Sequence, residues 1–377
     1  METNFGRSNP YSVGIEEELQ ILDDDSHELT SRVEPILDSF KGEVVESRVK
    51  PEVLQSMIEV STKIAGRVTH AIDDLADLRE RVRSAAADQD ALIASAGTHP
   101  FSRCDDQRLT VRPRYARIER RLRAIVIRQP AFGLHVHVGV SSADKAIACA
   151  DGLRSALPEF LALSANSPFW QGQPTEFAST RASIRESFPR SGIPPALSSM
   201  ADFEDLVDEG VRTGCFPDYT YLWWDVRPHP RLGTVELRVC DAQTRLESTA
   251  GIAALAQSLV ATIGTAFQCG ATQPTAPPLL LAENKWRAAR DGLKARLIDC
   301  ETGTDRPAVD AIRALVERCE PTAEALGCAE ELELVERILV GGSGADDQLR
   351  VYAETGSLGD VARMTVRESA THWAAAA

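Results

Sequence analysis

No C-x-x-C pair occurs among the eight cysteines of this 377-residue chain, which stand far apart at positions 104, 149, 215, 240, 269, 300, 319 and 328. That spacing fits neither a zinc ribbon nor a disulfide scaffold, and it predicts reduced thiols. Basic charge is scarce as well: 41 Lys and Arg face 56 Asp and Glu for a net charge of -15, and only six of the 41 are lysine. Nucleic-acid affinity rests on a basic surface, so no nucleic-acid partner is expected; acidic clefts suit metal cations instead. No run reads as the roughly 20 apolar residues that cross a bilayer, and METNFGRSNP at the start has no basic segment leading into an apolar one. The expectation is a cytoplasmic protein without a membrane partner. Also missing is G-x-x-x-x-G-K-[ST], which excludes the P-loop route to nucleotides. Internal repeats and low-complexity segments are absent too.

What the chain does have is 43% hydrophobic residues, ample for a sizeable core. Alternation and helical periodicity predict strands at 13–22, 92–100, 132–140, 219–226 and 234–240, and helices at 68–90, 114–130 and 143–165. In the second of these helices Tyr115, Ile118, Leu122 and Ile125 should face inward. Residues 51–62 read as a helix end running into a strand, or as one irregular element. The stretch 166–217 reads as a long loop that carries function, because it holds aromatics and arginines among its Pro, Ser and Gly. From 246 onward the pattern is almost entirely helical, with a break at 273–278 and a mobile 341–347. Strands early, helices late and no β-α-β rhythm favour an α+β fold with a largely antiparallel sheet.

Three of the strands share an oddity. In YSVGIEEELQIL (11–22) alternation sends Ile15, Glu17, Leu19 and Ile21 to one face, and Glu16, Glu18 and Gln20 to the other. FGLHVHVGV (132–140) puts His135 and His137 together opposite Leu134, Val136 and Val138. GTVELRVCD (233–241) does the same with Glu236 and Arg238. Each alone is an ordinary amphipathic strand with a wet polar face, or for the last a cross-strand ion pair. Three together, joined by Glu59 in the apolar setting of PEVLQSMIEVST and by Glu52, suggest one polar cavity. Carboxylates that crowded need cations, since repulsion would otherwise raise their pKa values or open the fold. A set of Glu16, Glu18, Glu52, Glu59, His135 and Glu236 is hard, which favours two or more Mg²⁺ or Mn²⁺ ions over zinc. Several such ions beside an arginine are how proteins hold the triphosphate of ATP for phosphoryl transfer.

GIEEELQILD, GLHVHVGV, STRASIRESFPRSGIPP and YLWWDVRPHPRLGTVELRVCDAQT resemble, in order and spacing, the type 2 glutamate-cysteine ligase family, also called YbdK-like carboxylate-amine ligases. ENKWRAARDGL and GADDQLRVYAETGSL extend the likeness over nearly the whole chain. The resemblance implies a glutamine synthetase-like fold: a curved, mainly antiparallel β-sheet funnel flanked by helices. It would form a single catalytic domain over 1–377, sheet-rich to 245 and helical in 246–377. It also implies ATP-dependent amide formation through an acyl phosphate, with weak joining of L-glutamate to L-cysteine as γ-glutamylcysteine, and it allows a homodimer.

Carried over by position, Glu16, His135 and Glu236 would share one ion and Glu18 with Glu59 another, with Glu52 a further ligand and His137 a neighbour. Arg238 would contact the transferred phosphate, making Arg238, Glu236 and Glu18 the catalytic set. For the substrate carboxylate, Arg181 is preferred over Arg185 and Arg190, with Trp223, Trp224, Asp225 and Arg227 walling the pocket. The same ligase chemistry on another carboxylate and amine is the first alternative. A metal-dependent amidohydrolase would also open with H-x-H, but it needs further histidines, and only His229 and His372 follow. A metal-binding relative without catalysis is the non-enzyme alternative.

Overall fold

Alternation along residues 13–23 becomes, in the computed structural model, the central strand of a seven-stranded sheet; the structure describes residues 2–128, 130–271, 275–370 and 373. The strands are β1 (Val13–Asp23), β2 (Val49–Pro51), β3 (Met57–Ser61), β4 (Ala91–Ala94), β5 (Leu134–Gly139), β6 (Val226–His229) and β7 (Thr234–Leu237). Their order is β6-β7-β5-β1-β3-β2, with β4 pairing the far end of β1, and every one of these pairings is antiparallel. The class is α+β, as expected.

One face of this sheet is covered by helices. Val68–Ala87 packs on β1, β3 and β4, and Leu246–Gln268 packs on β1 and β5. Beneath them Val13, Ile15, Leu19 and Ile21 of β1 meet Leu134, Val136 and Val138 of β5 and Ile72, Leu75, Leu78 and Val82 of the first helix, all buried. Each such side chain stabilises by roughly 1.5–3 kcal/mol relative to exposure, so this face fixes the sheet and leaves the other free for chemistry. Glu17 breaks the pattern. It is fully buried on the apolar face and accepts from Arg79 Nε at 2.7 Å and Nη2 at 2.6 Å. Arg79 also donates to the carbonyls of Gln243 (2.6 Å) and Thr244 (2.9 Å), which ties the chain leaving β7 to β1.

Several local expectations need correction. Leu246–Gln268 is long and apolar enough to cross a membrane by length and composition, contrary to the sequence reading, but most of it is buried inside the protein. It is hydrophobic all round because the helices Ala308–Leu326 and Ala329–Gly341 cover its outer side. The supposed loop 166–217 contains helices Thr180–Glu186 and Met200–Arg212, each started by a serine, Ser179 and Ser199, that caps a backbone N–H. The helix predicted over 114–130 ends at Leu122, where Arg123 turns to a positive φ of 50°, and Ile125 is 38% exposed rather than inward. The segment 143–165 divides at Ala156, two residues before Pro158, into Ala143–Ser155 and Leu157–Ser164. A two-stranded hairpin, Arg296–Ile298 with Asp305–Pro307, interrupts the helical last third. The expected mobile stretch 341–347 is the capped start of helix Gly344–Thr355, with Asp346 accepting from the Ser343 N–H at 3.0 Å. The break at 273–278 lies partly outside the described residues.

Candidate active site

Strand register, which no local pattern encodes, decides which polar side chains meet. On the open face of the sheet Glu16 lies opposite His135 on β5 and Glu18 opposite Glu59 on β3. Glu236 on β7 lies opposite His137 on one side and Arg227 on the other. Cross-strand neighbours stand about 5 Å apart at Cβ, so one band of carboxylates, imidazoles and guanidinium groups runs across five adjacent strands, β6, β7, β5, β1 and β3. The band floors a cavity of about 170 Å³ lined by Glu16, Glu18, Glu52, Glu59, His135 and Arg238. The opposite wall is made of Tyr115, Ile118, Val126, Phe188 and Trp223.

Two overlapping groups there have ligand atoms within 4.8 Å of one another: Glu16, Glu59 and His135, and Glu16, His137 and Glu236. Glu16 belongs to both. Its Oε2 stands 3.5 Å from His135 Nδ1 and 3.4 Å from His137 Nε2. Against the grouping the resemblance implies, Glu236 faces His137 rather than His135; Glu59 stands opposite Glu18, as expected of that pair, and also reaches Glu16 and His135. Glu18 accepts the Gly133 N–H at 2.5 Å. Glu52 borders the same cavity and accepts from its neighbour Val53 at 3.0 Å.

The residues fit divalent cations on two observations. His135 Nδ1 and His137 Nε2 are buried, aimed at Glu16, and without a hydrogen-bond partner among the described residues. The carboxylates also repel each other. Burial and then Glu18 push the Glu52 carboxyl up to about 7, while burial, Glu16 and Glu52 push Glu59 well above the usual carboxylate range. Glu16 and Glu236 go the other way. Burial works against their charge, but the His137 and His135 imidazoles outweigh it at Glu16, and Arg227 and Arg238 outweigh it at Glu236.

The arginines sort differently from the expectation. Arg181 does not reach the cavity: it is buried behind it, donating to the carbonyls of Val239 (3.0 Å) and Arg238 (3.1 Å) and lying 3.7 Å from Asp241. Its guanidinium passes so close to Gly133 that a Cβ there would stand 2.3 Å from Nη2, so any side chain at 133 would displace Arg181. Arg185, one helical turn later, lines the cavity and stacks on the Phe188 ring at 5.2 Å; burial and Arg181 bring its pKa down to about 10. Arg190 stacks on Trp223 and Phe216. Arg227 does line the cavity, but its guanidinium is spent on Glu236 (2.6 Å) and the Leu222 carbonyl (2.8 Å) and is not free for a substrate. Trp224 points away from the cavity floor into an apolar cluster, 6.2 Å from the Phe203 ring, while Trp223 takes the wall, as adjacent residues of a strand must diverge. Sequence reasoning turned Tyr115 inward without assigning it to the site, and it passed over Phe188 and Arg114, which line the cavity as well.

Known proteins agree with this architecture. The sequence profile of Glutamate-cysteine ligase family 2 (GCS2) matches residues 12–364. The chain is 44% identical over 361 residues to the "Putative glutamate--cysteine ligase 2-1" of Rubrobacter xylanophilus, covering 96% of this chain and 95% of that one. It is 38% identical over 358 residues to a protein named in the same way from Solibacter usitatus, covering 95% and 93%. Its fold is shared with the crystal structure of a glutamate-cysteine ligase from Francisella tularensis in complex with AMP: TM-score 0.73, 14% identity, 95% of this chain and 88% of that one. A bifunctional glutathione synthetase from Pasteurella multocida matches at TM-score 0.66 and 16% identity, over 95% of this chain and 52% of that one. The fold is thus the glutamine synthetase-like one that the strand motifs implied, and the chain belongs to glutamate-cysteine ligase family 2.

Proposed function

We propose that this protein is an ATP-dependent carboxylate-amine ligase, acting as one catalytic unit over residues 1–377, and that it joins the side-chain carboxylate of L-glutamate to the amine of L-cysteine. One observation carries the reading: Glu16 is shared by two carboxylate–imidazole groups, and Arg238, Arg185 and Arg114 line the same cavity. Family membership, the names of the relatives and the AMP held by the Francisella protein support it.

A carboxylate oxygen of the first substrate attacks the γ-phosphorus of ATP, the bond to the bridging oxygen breaks, and ADP leaves. The amine nitrogen then attacks the acyl carbon, phosphate departs, and the nitrogen loses a proton. Mg²⁺ or Mn²⁺ held by Glu16, Glu59, His135, His137 and Glu236, with Glu18 and Glu52 at the margin, would supply charge neutralisation on the phosphate oxygens. Phosphoryl transfer needs little else than alignment and neutralisation. Arg238 donates to the transferred phosphoryl group, where a buried guanidinium acts more strongly than in water. Arg185, on the lining of the same cavity, holds the substrate carboxylate. Trp223, Phe188 and Tyr115 keep water from the acyl phosphate.

The test is ADP release. A ligase releases ADP only when a carboxylate and an amine are both present, and mass spectrometry then shows a γ-linked dipeptide. Turnover without nucleotide would point to the hydrolase reading. Silence with every pair tried would leave a cation-binding relative, and product with a different pair would keep the chemistry and change the substrates.

A further inference from the structure

Two arginines share one buried carboxylate at the floor of the cavity, and they are held unequally. Glu236 is 1% exposed; its Oε2 accepts Arg227 Nε at 2.6 Å, and its Oε1 accepts Arg227 Nη2 at 3.3 Å and also Arg238 Nη1. Arg227 is anchored at its other corner too, since Nη1 donates to Leu222 O at 2.8 Å and Thr220 O at 3.4 Å. Arg238 is fixed only through its backbone: its N–H donates to Asp225 O at 2.7 Å and its carbonyl accepts from Arg181 at 3.1 Å. Among the described residues its guanidinium bonds Glu236 alone, and its Nε is buried without a partner.

The site for a cation collides with this arrangement. A carboxylate offers about four lone-pair positions, and guanidinium N–H groups already take three of them. His137 Nε2, the unpartnered imidazole nitrogen, stands 3.8 Å from Oε1, the same oxygen that Arg238 occupies. A cation bridging Glu16, His137 and Glu236 therefore needs the position Arg238 holds. Glu236 has Arg227 against it but also stands in one cluster with the Glu16 carboxylate, and buried like charges are costly, so a second cation is favoured whether the chain or the solvent supplies it.

We propose that Arg238 and a divalent cation are alternative occupants of the Glu236 carboxylate. Without the cation Arg238 neutralises Glu236; once the cation takes its place, Arg238 turns its guanidinium off Glu236 towards the centre of the cavity it already lines, while Arg227 is the positioning residue that keeps Glu236 aimed throughout. The consequence is an order of loading, cation before the phosphoryl grip. The exchange itself concerns only this chain and the cation; it rests on the ligase reading for what the released guanidinium grips.

Mn²⁺ titration of the nucleotide-free protein, followed by the electron paramagnetic resonance of free Mn²⁺ and by calorimetry, tests the exchange. Charge pairs of this kind are worth more than a factor of ten, so Arg238→Gln should bind Mn²⁺ about tenfold more tightly than wild type and Arg227→Gln about tenfold more weakly. Simple loss of a positive charge would tighten both, and that result overturns the proposal. So does unchanged or weaker binding by Arg238→Gln at a wild-type melting temperature. Should Arg238→Gln fold poorly, Arg238→Lys, which keeps the charge and loses the reach, should tighten binding about threefold, and no tightening counts against the exchange. ADP release by the wild type is read separately. Its failure beside the opposed Mn²⁺ shifts removes the ligase reading and leaves the exchange standing; the converse removes only the exchange.

Discussion

Replacing Glu52 by Gln should stabilise the cation-free protein at alkaline pH, although it alters the candidate active site. Glu52 is half-buried, and burial together with Glu18 raises its carboxyl from 4.5 to about 7. A carboxyl whose folded value is raised loses stability as pH climbs. Below the unfolded value both states carry the proton and there is no difference; between 4.5 and about 7 the unfolded chain ionises first and stability falls; above that the full cost is present. At 1.36 kcal/mol per unit the cost is about 3 kcal/mol at pH 8, an upper figure because Glu52 is coupled to its carboxylate neighbours. Glutamine keeps the acceptor for the Val53 N–H and removes the charge. Urea unfolding in EDTA should thus show Glu52→Gln more stable than wild type by up to about 3 kcal/mol at pH 8 and no different near pH 4. With millimolar Mg²⁺ at pH 8 the gain should shrink or reverse, since the cation stabilises only the chain that binds it better. A variant less stable than wild type at pH 8 in EDTA, or a difference independent of pH, would refute the argument that carboxylate repulsion strains the empty site.

Three further outcomes follow from single contacts. Arg185→Ala should raise KM for the carboxylate substrate by about tenfold or more, the worth of a charged hydrogen bond, and change the melting temperature little; an unchanged KM removes Arg185 from the substrate pocket. Arg79→Met should destabilise by about 3–5 kcal/mol by leaving Glu17 buried and unpaired, and the double variant Arg79→Met with Glu17→Leu should recover most of that in denaturant titrations. Burial holds the His99 imidazole down to about 3, with its Nδ1 accepting the Ser102 N–H at 3.0 Å. The unfolded chain takes that proton first as pH drops below 6.5, so wild type should lose stability between pH 6.5 and 4 more steeply than His99→Gln; parallel pH profiles would show the imidazole to be inert.

Side-chain alternation is local, and it was readable. The polar faces of 13–22, 132–140 and 233–241 put Glu16, Glu18, His135, His137, Glu236 and Arg238 on matching sides of their strands, and the α+β class followed from strands early and helices late. At Leu246–Gln268 the sequence reading missed a helix that has the length and composition of a span, and the helices stacked over it make it core. Turn and capping chemistry around Ser179, Ser199 and Ser343 was present in the sequence but was read as loop, because Pro and Gly nearby drowned a short helical period.

The amino-acid order by itself determined which faces are polar, which residue types line the cavity and which family the chain resembles, because a strand's two-residue period and a motif's spacing need no distant partner. Which of those residues touch was decided only by the tertiary structure. Antiparallel register set Glu236 against His137 instead of His135, the seating of helix Thr180–Glu186 put Arg185 at the cavity and Arg181 behind it, and Arg227 was claimed by Glu236. The most distant of those pairings joins residues about a hundred apart, and all are fixed by the packing of whole sheets and helices, which no local pattern carries.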